Sequence, residues 1–178
     1  MIIELPNWVD KATTARIREA VRPYLRQVQD GYATNREGSS VNITKTPELS
    51  DIDAELHTLF AGLGAGVLSR RYKPQYDSAD SGYEYHRYLP GDICHYHSDG
   101  EVIDGLLRYA SVTLHLNTVS EGGELVFPAQ NKSVKTEEGK VVIFPPYGMF
   151  GHYTTPSPEP REVIVTWFVY NNVKVQVG

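Results

Sequence analysis

Residues 109–117 read YASVTLHLN, and the alternation in this stretch decides the fold class. On an extended chain, successive side chains point to opposite faces. Ser111, Thr113, His115 and Asn117 therefore share one face, and Val112, Leu114 and Leu116 share the other. The apolar face suits a core. The polar face either meets water or lines a pocket for a small molecule. The same texture continues in both directions from about residue 68. Short runs rich in β-branched and aromatic residues recur: GYEYHRYL (82–89), ICHYH (93–97), ELVFPA (124–129), KSVKT (132–136), KVVIF (140–144), REVIVTWFVY (161–170) and VKVQV (173–177). Between them stand the turn signals PGD, SDGE, SEGGE, EEGK, PPYG and PSPEP. Many short strands separated by turns make a sandwich or barrel.

The first third has a helical period instead. Asp10 is placed to cap a helix over residues 11–30, with Ile17, Ala20, Val21 and Leu25 on one side and Pro23 as a kink. Ser50 or Asp51 caps a second helix that carries Ile52, Leu56, Leu59 and Phe60, and Gly62 or Gly64 stops it. The polar stretch between them, residues 30–47, reads as a loop. The expected architecture is mainly β with N-terminal helices, in one domain over 1–178. Residues 1–66 form the helical layer and 67–178 the β core.

Composition narrows the function. The net charge is −5 and Arg70-Arg71 is the sole adjacent basic pair, which argues against a nucleic-acid partner. No apolar run approaches the ~18 residues of a membrane span. The start MIIELPNWVD lacks a charged segment followed by an apolar one, and the lone Cys94 allows no internal disulfide. Both point to a cytoplasmic protein. Twelve tyrosines against five phenylalanines suit half-buried strands and wet pockets.

The chemistry gathers in GDICHYHSDG (91–100). On a strand His95, His97 and Asp99 point the same way. Imidazole and carboxylate together suit a borderline divalent metal, and two histidines with one carboxylate form the facial set of non-haem Fe(II). A further histidine must come from another strand. His152 follows His97 by 55 positions, at the end of the turn after KVVIF. Of the other histidines, His57 reads as surface on the second helix and His86 as facing solvent, while Cys94 reads as a small core residue. Arg161 opens the apolar strand REVIVTWFVY and shares a face with Val163, Val165 and Trp167. An arginine on an inward face needs a carboxylate, and no protein acid is assigned to it, so a ligand carboxylate fits.

These residues occur in a familiar order: YLPG (88–91), HSD (97–99), LN (116–117), GGELVF (122–127), GKVVIF (139–144), His152, Arg161 and Trp167. The stretch from about 80 to 171 resembles the prolyl 4-hydroxylase-like branch of the Fe(II)/2-oxoglutarate dioxygenases. The resemblance implies a double-stranded β-helix (jelly-roll) core supported by two to three helices. It implies that His97, Asp99 and His152 bind Fe(II) and act as the catalytic centre. Arg161 would hold the distal carboxylate of 2-oxoglutarate, with Tyr88, His115 and Thr113 around the co-substrate. Tyr85 and Tyr96 compete with Tyr88 for that place. A histidine at 115 departs from the tyrosine commoner there. Arg108 and Trp167 match positions near the substrate, and His95 would sit at the second shell or the substrate mouth. Arginine at 161, where collagen-type members carry lysine, brings the chain closer to the oxygen-sensor type and its bacterial relatives.

The implied reaction consumes 2-oxoglutarate and O2, releases succinate and CO2, and hydroxylates a C–H bond. Ascorbate stimulation is a further expectation. The implied substrate is a proline-containing peptide or protein, with a free amino acid or other small molecule as the alternative. The loops at 30–47 and 69–82 are the candidate recognition segments. One rival survives. Cupins carry HxH, then a glutamate, then a distant histidine, and His95, His97, Glu101 and His152 imitate that set. It leaves Arg161 without a role. The oligomeric state is open; VKVQV reads as a strand able to pair with a second chain.

Overall fold

The structure is a computed structural model and describes residues 1–27, 36–68, 78–103 and 105–174. Among the described residues, two α-helices and twelve strands follow one another. Strand β1 (Ile3–Leu5) leads to α1 (Lys11–Val21), then β2 (Arg26–Gln27) and β3 (Ser39–Asn42). After α2 (Ser50–Leu63) come β4 (Ser78–Asp80), β5 (Glu84–Tyr88), β6 (Val102–Ile103) and β7 (Leu106–His115). The chain closes with β8 (Leu125–Phe127), β9 (Lys132–Val134), β10 (Val141–Phe144), β11 (Tyr153–Thr154) and β12 (Arg161–Lys174).

The larger sheet runs β1-β10-β7-β12-β5-β3-β2, with β4 added to β12 and β6 to β7. The smaller sheet runs β11-β8-β9. Single bridges extend it: His97 pairs with His152, and Arg36 pairs with Cys94. All pairings are antiparallel. The two sheets face each other, as the double-stranded β-helix expectation requires.

The alternation read in YASVTLHLN explains the layering. Val112 and Leu114 of β7 join Ile143 and Ile164 in a cluster that also takes Ile17 and Val21 of α1 and Leu56, Phe60 and Leu63 of α2. This cluster binds the helices to the outer face of the larger sheet. The opposite face turns to the smaller sheet, where Val142 and Phe144 pack on Leu125, Phe127 and Val134. Removing this apolar surface from water is the main force that joins the layers.

A buried ion-pair cluster pins α1 as well. The Glu162 carboxylate, 1% exposed, takes two hydrogen bonds from Arg22 at 3.0 and 2.8 Å, with Arg87 Nε at 3.0 Å.

Several local readings need correction. The first helix stops at Val21 rather than running to residue 30. Pro23 lies in a 3-10 turn over Arg22–Tyr24, because its missing N–H cannot continue the helix. Asp10 caps as expected, accepting from the Thr13 amide at 2.9 Å. Neither Ser50 nor Asp51 caps the second helix. A 3-10 turn over Pro47–Leu49 leads into it, so Leu49 takes the cap position without a side-chain bond. Within the stretch read as a loop, Ser39–Asn42 is strand β3, paired with β5. It is too short and polar to announce itself. ICHYH forms two isolated bridges, not a strand. Val173 and Lys174 finish β12, where Lys174 faces Leu106 of β7, while 175–178 lie outside the described residues. Residues 28–35 and 69–77, which hold much of the two candidate recognition loops, lie outside them too.

Candidate metal centre and its cavity

His97 comes from the segment after β5, Asp99 follows two residues later, and His152 precedes β11. The backbone joins them before any side chain does. The His97 amide donates to the His152 carbonyl at 3.0 Å, and the His152 amide donates back at 2.8 Å. In each histidine Nδ1 faces a main-chain carbonyl: His95 O at 2.8 Å for His97, and Phe150 O at 3.0 Å for His152. A carbonyl only accepts, so Nδ1 carries a proton in each, and Nε2 is the nitrogen left to face the carboxylate or a metal. Both Nε2 atoms turn to the Asp99 carboxylate, at 3.4 and 3.9 Å. The three ligand atoms lie within 4.8 Å of one another. Phe127 and Phe144 pack around the His152 ring, with centroids at 5.4 and 4.8 Å.

The charges fit a cation. Burial opposes ionisation of Asp99, but His97 and His152 outweigh it and hold the carboxyl down to about 2. Burial likewise opposes protonation of His97, but Asp99, Cys94 and the His95 carbonyl push it up to about 10. The pair shares a proton that an incoming metal ion must displace. The donor set of two imidazoles and one carboxylate, clustered on one side, suits Fe(II) with open positions for further ligands.

The triad opens onto a small cavity of about 70 Å³. Strand β12 forms its wall. Arg161, Val163, Val165 and Trp167 all line it, in the row expected from alternation. Arg161 is 4% exposed. Its Nε donates to Thr136 Oγ1 at 3.1 Å, and its guanidinium lies 5.2 Å from the Tyr88 ring centre. Thr113 lines the same cavity. His115 lies deeper, opposite Val163, fully buried and off the cavity wall. Both its ring nitrogens are buried without a hydrogen-bond partner. Burial, then Arg161 and Lys140, push its pKa well below 6.5, so it stays neutral and keeps one N–H to donate. Buried polar atoms without partners beside a buried arginine are what an anionic co-substrate satisfies. At the other end, Arg108 stacks over Trp167 at 4.3 Å and donates to the Asp99 main-chain carbonyl.

Residues 83–169 match the sequence profile of the 2OG-Fe(II) oxygenase superfamily. Over that stretch, just under half of the chain, the protein is a 2-oxoglutarate-dependent dioxygenase. The oxygenase uses Fe(II), 2-oxoglutarate and O2, and its triad is the candidate iron site.

The whole fold resembles solved structures. A viral collagen prolyl hydroxylase from Paramecium Bursaria Chlorella virus-1, in complex with 2OG, superposes with a TM-score of 0.71 at 17% identity, covering 95% of this chain and 96% of that one. A prolyl-4-hydroxylase from Pseudomonas putida gives 0.67 at 18%, covering 96% and 93%. A Trichoplax adhaerens prolyl hydroxylase, in complex with a hypoxia inducible factor oxygen degradation domain peptide fragment, gives 0.72 at 15%, covering 95% and 83%. These likenesses show the fold, a double-stranded β-helix. No curated protein matches the sequence. Among the described residues no helix is long and apolar enough to cross a membrane.

The structure sorts the remaining candidates. Of the three competing tyrosines, Tyr88 lines the cavity of the oxygenase. Tyr85 packs in the cluster under the helices, and Tyr96 is 63% exposed. His95 does not join the site: it is half exposed, 3.8 Å from Glu37. With His95 turned away and Glu101 exposed, the cupin ligand set is not assembled. One expectation was wrong: His86 does not face solvent; it is 3% exposed and lines the cavity. Cys94 is a buried core residue as read, packed with Tyr88 and Val163, and it also lines the cavity, with Sγ 3.7 Å from His97 Nδ1. The period of Glu84, His86 and Tyr88 puts His86 on the Tyr88 face, and that signal was in the sequence. Arg36, a further cavity residue, carried no sequence signal.

Proposed function

We propose that the oxygenase hydroxylates a prolyl residue of a peptide or protein. The reaction converts the C–H bond, O2 and 2-oxoglutarate to C–OH, succinate and CO2. Chain 1–178 acts in this reading as one domain. His97, Asp99 and His152 would hold the iron, which supplies the oxidising chemistry when bound. Arg161 would hold the distal carboxylate of 2-oxoglutarate by charge-assisted hydrogen bonding. Neutral His115, deeper on the same sheet face, would be a further donor toward it, with Tyr88 and Thr113 also available on the cavity wall. Arg108 keeps Trp167 in place at the mouth and ties it to the main chain of Asp99.

The observation that carries the co-substrate reading is His115: two buried ring nitrogens without partners, on the sheet face that carries Arg161. The prolyl reading is supported by the likeness of the fold to prolyl hydroxylases. A free amino acid is the second reading. It is favoured by Arg36, a cavity residue whose salt-bridge partner Glu84, 3.4 Å away, sets an opposite charge next to it.

The test starts without oxygen. Titrating 2-oxoglutarate into the Fe(II)-loaded protein should give the visible charge-transfer band of chelated iron. The band should vanish in His97→Ala and weaken in Arg161→Ala and His115→Phe. A folded, iron-binding wild type without the band would overturn the assignment. Succinate formation with proline-containing peptides against free proline then decides the substrate.

A further inference from the structure

Arg36 reaches the cavity from the edge of the smaller sheet. Its backbone bridges Cys94, three residues before the ligand His97. The neighbouring Glu37 amide donates to the Ile93 carbonyl at 3.1 Å, and the Ile93 amide donates to the Glu37 carboxylate at 2.8 Å. Arg36 is thus fixed one strand spacing, about 4.8 Å, from the segment that carries the iron ligands. Its side chain lines the same cavity as His97, Asp99, His152 and Trp167.

The guanidinium is held but not satisfied. It carries five N–H donors. Nη1 lies 3.0 Å from His86 Nε2, and Nη2 donates to Glu84 over a long 3.4 Å. Nε is buried and has no partner. The same His86 Nε2 lies 3.2 Å from the Glu84 carboxylate. It cannot both accept from Arg36 and donate to Glu84, so one of these approaches is not a hydrogen bond. Glu84 is 30% exposed, and water screens its hold on the arginine. A carboxylate in the cavity would supply the two oxygens that the planar fork lacks. His86 would then give its N–H to Glu84 alone.

We propose that Arg36 binds a carboxylate of the substrate, next to the residue that is hydroxylated. The proposal rests on the hydroxylase reading and narrows its substrate to one with an anionic neighbour. It is separate from the co-substrate, whose distal carboxylate has Arg161. The carboxylate can belong to an acidic side chain flanking the target or to the α-carboxyl of a C-terminal or free amino acid.

Two matched pairs of probes and one single probe separate these sources. One pair is a blocked proline peptide with Glu or Gln beside the proline. The other is a peptide ending in proline as the free acid or the amide. The fifth probe is free L-proline. In the wild type the charged member of one pair should exceed its neutral partner by ~10- to 100-fold in kcat/KM. The pair that shows the ratio names the source. Arg36→Gln should abolish the ratio by slowing the charged probe to the neutral rate, and Arg36→Lys should restore part of it. The Fe(II)–2-oxoglutarate band should remain in both variants, which also reports their folding. A wild-type ratio near one, or a ratio that survives Arg36→Gln, overturns the proposal. So does a wild type that forms the band yet turns over none of the probes. A wild type without the band overturns the hydroxylase reading, and this proposal with it.

Discussion

His97 and His152 stand opposite each other on antiparallel segments and exchange both main-chain hydrogen bonds, at 3.0 and 2.8 Å. The distance between the two imidazoles is therefore set by sheet geometry. A metal bound between them staples two segments far apart in sequence. Adding a saturating divalent ion should raise Tm, by about 5–10 °C at 100 times Kd for a chain of this size. Thermal unfolding with and without a chelator checks this. The shift should disappear in Asp99→Ala while the fold persists.

The turn GGE depends on Gly122. Its φ is +68°, and a Cβ there would lie 2.0 Å from the Pro156 carbonyl oxygen. That carbonyl also accepts from the Gly123 amide at 3.2 Å. Gly122→Ala should cost more than about 2 kcal/mol, through both the unfavourable φ and the clash with main chain. Because the displaced segment follows His152, iron affinity should fall too. Denaturant unfolding beside an iron titration tests both effects.

Acid should loosen the wall of the cavity before it unfolds the sheet. Glu84 is held down to about 2 from 4.5; the hydrogen bond from His86 is the largest cause, burial opposes it, and the Arg36 charge adds to the lowering. A depressed carboxyl contributes stability that is complete above about pH 4.5. That stability is lost as pH falls toward 2. The contribution should be about 2 kcal/mol. Unfolding followed from pH 5 to pH 2 should show a shallower decline in Glu84→Gln than in the wild type.

Two ion pairs that anchor the helical layer should behave differently, Arg22–Glu162 to β12 and Arg16–Glu55 between α1 and α2. Glu162 is buried and shared by Arg22 and Arg87. Arg22→Ala leaves a buried carboxylate with fewer partners and should cost about 2–3 kcal/mol. Arg16 and Glu55 make a close pair, but Arg16 is more than half exposed. Arg16→Ala should leave the unfolding midpoint within error. Equal losses in the two variants would show that burial does not separate them.

The sequence disclosed what repeats and what has a period. Alternation found β5, β7, β10 and β12, and the row from Arg161 to Trp167 fell on the cavity side as read. The helical period found both helices, with ends blurred by 3-10 turns at Pro23 and Pro47 that pattern alone does not place. Ser39–Asn42 escaped because a four-residue polar strand has no period of its own. His95 was misplaced because two bridges, not a strand, hold ICHYH, so alternation did not apply there. Arg36 was out of reach for a different reason. Its role depends on a bridge between residues 36 and 94, and nothing local encodes that contact.

One strand sets the depth of the reaction chamber. Arg161 and Trp167, at its two ends, are six residues apart on β12, about 20 Å along an extended chain. Both must point inward, so the chamber can lengthen or shorten only in steps of two residues, about 6.6 Å each. A one-residue insertion between them would turn one end of the row outward. The catalogue of ligands that descendants of this scaffold can accept is therefore graded by size in discrete increments, with no intermediate depths available to gradual drift.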